Sequence, residues 1–149
     1  FPKEISWEFD DNRYGNIDWL TNIKLDTLAS RKAWHKEKNF KISQWLEYNE
    51  KDSLITKTVD KMAFDFPRKS GKIKAKYADN VFRIETSCIK SFRVNIAPEM
   101  VDTNKKVRIY VNGKLRFDKR IGYDTNLMLK NFGATQDRSQ VWINQIDIR

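Results

Sequence analysis

A chain of 149 residues carrying 29 Lys and Arg against 20 Asp and Glu, a formal charge of +9, has one domain's length and can bury a core without disulfide or metal staples. Hydrophobic residues make up 40% and aromatics 13%, so burial can offset the ordering entropy and a disordered chain is excluded. No apolar run reaches the length of a membrane span, and the single cysteine, Cys88, excludes an internal disulfide and any cysteine-based zinc site.

No charged-then-apolar leader opens the chain. Its start at Phe1-Pro2 suggests a processed protein or a piece of a longer one. Beyond it the dominant period is two. Ile17, Trp19, Thr21, Ile23 and Leu25 alternate with polar neighbours, as a half-buried strand requires. Ala29 to Lys38 is a short candidate helical piece. Phe40, Ile42, Gln44, Leu46 and Tyr48 predict the next strand, and Met62, Phe64 and Phe66 another. Ile73, Ala75 and Tyr77, then Phe82, Ile84 and Thr86, then Phe92, Val94 and Ile96 predict three more. Val107, Ile109 and Val111 follow, and Leu127 to Phe132 is a second helical piece. Val141 and Ile143, then Ile146 and Ile148, predict a closing strand whose phase slip is the mark of a bulge.

Turn residues separate these stretches, among them Asp11-Asn12, Ser70-Gly71, Asp79-Asn80 and Asn112-Gly113. Many short strands with turns between them predict an all-β fold, an antiparallel β-sandwich of immunoglobulin or jelly-roll type with one or two short helical pieces. With no linker or repeat, residues 1–149 read as a single domain. The hairpin at Asn112-Gly113 poses a conflict. Asn-Gly favours a two-residue type I′ turn, which would pair Val111 with Lys114 and Ile109 with Arg116. A three-residue connection would pair Val111 with Leu115 and Ile109 with Phe117, keeping one face apolar. Mispairing a whole face costs more than one turn preference, so the three-residue connection is expected.

Several motifs carry a family resemblance. Gly71-Lys72-Ile73-Lys74-Ala75 is followed by Asn80-Val81-Phe82-Arg83-Ile84-Glu85-Thr86-Ser87, then Pro98-Glu99-Met100-Val101-Asp102, then Val107 to Lys114 ending in Asn-Gly-Lys. With Ile17-Asp18-Trp19-Leu20 before them and Asp137-Arg138 through Trp142 after, these resemble the C-terminal region of secreted bacterial α/β-hydrolases, a group of esterases, depolymerases and prolyl-oligopeptidase-like peptidases. Thr27 to Asp60 is the stretch it anchors least. The resemblance implies a β-sandwich following a serine-hydrolase domain, and a secreted or periplasmic location. No catalytic residue can be carried over, because the matching positions are structural in kind.

The residues themselves offer little chemistry. None of the five glycines belongs to a Gly-x-Ser-x-Gly elbow, and His35, the only histidine, sits in the basic stretch Arg31 to Lys36, where a solvated side chain is expected rather than a base. Asp10-Asp11, Glu8 with Asp10, and Glu47 with Glu50 are carboxylate pairs of the sort glycosidases use, but adjacent carboxylates in turns are usually solvated or bind backbone amides. Asp10, Asp11 and Asn12 could offer oxygens to calcium, without EF-hand spacing. The expectation is therefore no catalytic, cofactor or metal site. Lysines 72, 74 and 76 share one strand face and read as a solvated outer surface rather than a nucleic-acid site. Trp7, Trp19 and Trp142 fit the core. Trp34, Trp45 and Tyr48 remain as ligand or interdomain contacts. The expected role is a non-catalytic accessory domain that stabilises or positions an upstream α/β-hydrolase domain. The alternative is a carbohydrate-binding module stacking polysaccharide on those rings.

Overall fold

Alternating residues become strands here because each pleat turns its apolar side to a second layer. The computed structural model describes residues 1–37, 39–65 and 69–149, so Phe66 of the predicted third strand, and Lys38 and Arg68 among the basic residues, lie outside the described residues. In chain order the strands are β1 (Glu4–Phe9), β2 (Leu20–Leu25), β3 (Lys41–Tyr48), β4 (Leu54–Met62), β5 (Gly71–Ala78), β6 (Val81–Ser87), β7 (Ile89–Ile96), β8 (Lys106–Val111), β9 (Lys114–Arg120) and β10 (Asn144–Ile148), with helix α1 at Thr125–Thr135. Contacts divide the chain into two units, Phe1–Lys32 with Ser70–Arg149, and Ala33–Lys69.

The larger unit is an all-β sandwich. One sheet runs β1-β5-β6-β8-β9 and the other β10-β7-β2. Their inner faces carry the residues that the alternation marks: Ile73, Phe82, Ile84, Val94, Ile96, Val107 and Ile109 are all buried. Trp19 lies between the layers, with its ring 5.5 Å from Phe82 and 5.7 Å from Tyr77, both edge-on. Its Nε1 donates to the Pro2 carbonyl at 2.9 Å, so the one polar atom of a fully buried ring is satisfied.

Every ladder is antiparallel except β6 with β8, which run parallel. The cause is a change of sheet. At Cys88 (φ 56°) the chain leaves the five-stranded sheet, enters the other as β7, and returns beside β6 in the same direction. Cys88 is thus half-buried at a corner, with Sγ donating to the Ala29 carbonyl at 3.4 Å, rather than inside a strand. Asn80 (φ 64°) fastens the return. Its Oδ1 accepts the Asp102 N–H at 2.8 Å, its Nδ2 donates to the Asp102 carbonyl at 2.7 Å, and its own carbonyl accepts the Arg108 N–H at 2.9 Å.

Three local expectations need correction. The strand expected from Ile17 begins at Leu20, because Asp18 (φ 47°) and Trp19 make a turn closed by an Ile17–Leu20 bridge. A bulge at Asn22 (φ 51°) then puts Leu20 and Ile23, three apart, both in the core. The phase slip near the C-terminus is a strand boundary, not a bulge: Ile143 precedes β10, which pairs with β7 in unbroken register. The Asn112-Gly113 connection has two residues, with φ 50° and 80°, and pairs Val111 with Lys114 and Tyr110 with Leu115. A bulge then shifts the register so that Ile109 meets Phe117. The turn keeps its preferred type I′ sign and the bulge restores the apolar pairing, so neither preference has to be given up.

Of the helical pieces, Leu127–Phe132 lies inside α1, capped by Asp124, whose carboxylate accepts the Leu127 N–H at 3.0 Å. Residues 29–37 are not helical. The smaller unit holds β3 and β4, an antiparallel pair with a bulge between Ile42 and Gln44.

Ion pairs on the larger unit set an acid response. Arg93 of β7 clasps Asp147 of β10 through Nε at 2.7 Å and Nη2 at 3.1 Å, and the Arg93 hydrogen bond holds the Asp147 carboxyl below its ordinary range. Hydrogen bonds from Arg13 hold Asp11 at about 2, against an ordinary 3.8. In the unfolded chain these groups take up protons first, near 3.8, so stability is fully present above that value and is lost as pH falls through the folded values. In both pairs each side chain is about a third or more exposed, and each pair contributes little. The urea midpoint should therefore stay level from pH 7 to about 5 and decline gently below about pH 4. A midpoint that rises on acidification from pH 5 to 3 would contradict this linkage.

Candidate functional site

Trp34, Trp45 and Tyr48 all belong to the smaller unit, and the structure does not make one stacking platform of them. Trp34 precedes β3 and is half-buried, with its ring 6.2 Å from the His35 ring. His35 is 2% exposed, so it is not the solvated side chain that its basic surroundings suggest. Charged neighbours in sequence do not report which way one ring points. Trp45 lies on β3, where its Nε1 donates to Glu47 Oε2 at 3.2 Å and Lys61 Nζ stands 5.4 Å from the ring centroid. Tyr48 is three residues further along the same strand, so the two rings face opposite sides.

The register instead groups Tyr48 with other residues. Tyr48 is directly across from Leu54, and Leu46 is across from Thr56 on the same face. Leu46, Tyr48 and Leu54 are 64%, 72% and 55% exposed. Ile55, on the opposite face beside Glu47, is also exposed. These side chains surround the closed end of the hairpin, which is firmly built. Asn49 Oδ1 accepts the N–H groups of Lys51 and Ser53, each at 2.9 Å, and the Asn49 N–H donates to the Ser53 carbonyl at 3.0 Å. Asp52 (φ 55°) takes the left-handed position, which its short polar side chain tolerates.

The expectation of a half-buried β3 is thus overturned: most of its residues are exposed. Alternation does not single out β4, whose apolar residues, Leu54, Ile55, Val59 and Met62, keep no period. The signal that could have found it is the β-branched run Ile55-Thr56-Lys57-Thr58-Val59. A two-stranded hairpin is marginal in water by itself. Exposed apolar residues on such an element usually mark a contact.

Two of the candidate carboxylates are held by neighbouring donors and cations. Both Asp11 oxygens are engaged by Arg13, Oδ1 accepting its backbone N–H at 2.8 Å and Oδ2 its Nη2 at 2.7 Å. Glu47 is bound by Trp45 and by Lys57 Nζ at 3.4 Å. Among the described residues no three His, Cys, Asp or Glu side chains gather as a metal-ligand group. No helix among them is long and apolar enough to cross a membrane. Trp7 and Trp142 are half-buried against the core, with Trp7 Nε1 donating to the Tyr14 carbonyl at 2.8 Å and the Trp142 ring 4.8 Å from Phe1.

Compared with known proteins, the chain matches no family model, no curated protein and no solved structure.

Proposed function

We propose that this chain is a non-catalytic accessory domain of a secreted α/β-hydrolase of esterase or peptidase type, and that the β3–β4 hairpin docks on the catalytic domain. The observation that carries this reading is the apolar end of the hairpin. Leu46, Tyr48 and Leu54 stand together in solvent on a pair that no further strand joins among the described residues. Burying one leucine of this kind contributes about 1.5–3 kcal/mol, enough for three anchors to fix an interdomain contact. The partner named in this reading is taken from the resemblance of the motifs between Gly71 and Lys114.

The rival use of Trp34, Trp45 and Tyr48 as a sugar platform is disfavoured, because Trp45 and Tyr48 face apart. Mixed with the separately expressed hydrolase domain of its parent at micromolar concentration, the module should co-elute in gel filtration. Leu46→Lys combined with Tyr48→Asp should weaken the association at least tenfold, about 1.4 kcal/mol. Absence of association between two folded pieces, or association indifferent to both substitutions, would dismiss the docking role.

A further inference from the structure

A second surface, on the larger unit, has the makings of a ligand site. The outer face of the five-stranded sheet holds a cleft of about 650 Å³ floored by β1, β5, β6 and β8. Strand register arranges its side chains in two rows. Glu4, Lys76, Arg83 and Tyr110 lie opposite one another across four successive strands, and Ser6, Lys74 and Glu85 form the next row across three. Three inter-strand steps make the first row roughly 14 Å long, and the rows are roughly 7 Å apart.

The chemistry of the rows is mixed. Lys74, Lys76 and Arg83 set three cations against the two carboxylates of Glu4 and Glu85, leaving one net positive charge. Although Glu4 is directly opposite Lys76, neither residue, nor Glu85, takes part in a side-chain hydrogen bond or ion pair among the described residues. The Arg83 guanidinium carbon lies 4.8 Å from the Tyr110 ring centroid, so a flat ring and a planar donor fork are held together in the cleft.

We propose that this cleft binds a uronic-acid residue of an acidic polysaccharide. Each part of such a sugar has a counterpart here. Hydroxyl groups both donate and accept, and the cleft offers acceptors at Glu4 and Glu85 beside donors at Lys76 and Ser6. The ring's C–H face has the Tyr110 ring. The carboxylate has Arg83, whose fork matches a planar two-oxygen anion better than a tetrahedral one. A nucleic-acid backbone fits poorly, because Glu4 and Glu85 would lie against its phosphates. The site shares no residue with the docking hairpin, so it stands independently of that reading.

The test is affinity electrophoresis of the whole chain through gels containing polygalacturonate, dextran sulfate, xylan or hydroxyethylcellulose, with calorimetry on galacturonate oligomers and a single-stranded oligonucleotide. Polygalacturonate should retard the protein most, and Arg83→Ala or Tyr110→Ala should each weaken oligomer binding at least tenfold. Both positions lie on an outer sheet face. Should circular dichroism show either variant unfolded, Lys76→Gln and Glu85→Gln replace them and should weaken binding at least threefold. Equal retardation by dextran sulfate, binding to the oligonucleotide as tight as to galacturonate oligomers, or affinity unchanged in the folded variants would each overturn the assignment. So would a failure of polygalacturonate to retard the protein.

Discussion

Trp19→Ala should destabilise the sandwich by about 3–5 kcal/mol, a large share of the roughly 5–15 kcal/mol that holds a domain of this kind folded. Two separate losses add up at this position, and a backbone contact can spread the disturbance. The indole is 0% exposed and is held between the two sheets by edge contacts with Phe82 and Tyr77, so its removal leaves a cavity that both layers would have to move to fill. The Pro2 carbonyl loses the Nε1 donor that satisfies it at 2.9 Å. The Trp19 carbonyl also accepts the N–H of Asn95 at 2.8 Å, so a shift of this turn disturbs a buried asparagine on β7. Urea unfolding followed by far-ultraviolet circular dichroism would read the change. A loss below about 1.5 kcal/mol would mean that the core closes over the gap, contrary to the packing described. Trp45→Ala is the control, since Trp45 is not part of the sandwich core and should change the midpoint little.

Asn80→Ala should cost about 2–4 kcal/mol, more than a surface turn residue normally contributes. Asn80 is 6% exposed, and its amide satisfies both the N–H and the carbonyl of Asp102. Alanine would leave those backbone groups unpartnered in a part-buried place, and would retain a left-handed φ that an L-residue adopts at a cost of about 1–2 kcal/mol. Asn80→Gly separates the two contributions, because glycine accepts the backbone but makes no side-chain bond. The glycine variant should recover about 1 kcal/mol of the alanine loss and remain well below the native protein. If it matched the native protein, the Asp102 clamp would be energetically idle, and the parallel β6–β8 pairing would have to be held by the ladder alone.

These two residues show different degrees of legibility. Trp19 is recognisable as core from the apolar alternation around it, although its alternation partner Ile17 lies across a turn. Asn80 is recognisable only as a turn former. Its clamp on Asp102, 22 residues away, depends on β8 returning beside β6, and no local pattern carries that information. The Asn112-Gly113 hairpin falls between these cases. Both the turn preference and the apolar pairing of Ile109 with Phe117 are readable, but their reconciliation needs a bulge that only the packed sheet demands.

The candidate surfaces divide in the same way. Tyr48 and Trp45 stand out in the sequence, yet the face each occupies, and the company of Leu46 and Leu54, follows from pairing with a strand that alternation does not reveal. The lysines at 72, 74 and 76 are legible as an outer face. Their approach to Glu4, Arg83 and Tyr110 is not, because those residues come from three other strands.

By itself the sequence determined that this is a β protein, which residues turn inward on β5 to β8, and where most turns fall. Those properties are set within a few residues by side-chain alternation and backbone tolerance. Tertiary structure alone decided which strands became neighbours, that β6 and β8 run parallel, that β3 and β4 form a sheet of their own, and that charges from three strands share one cleft. A period of two states that a strand has an apolar side; only contacts between distant segments decide whether anything covers it.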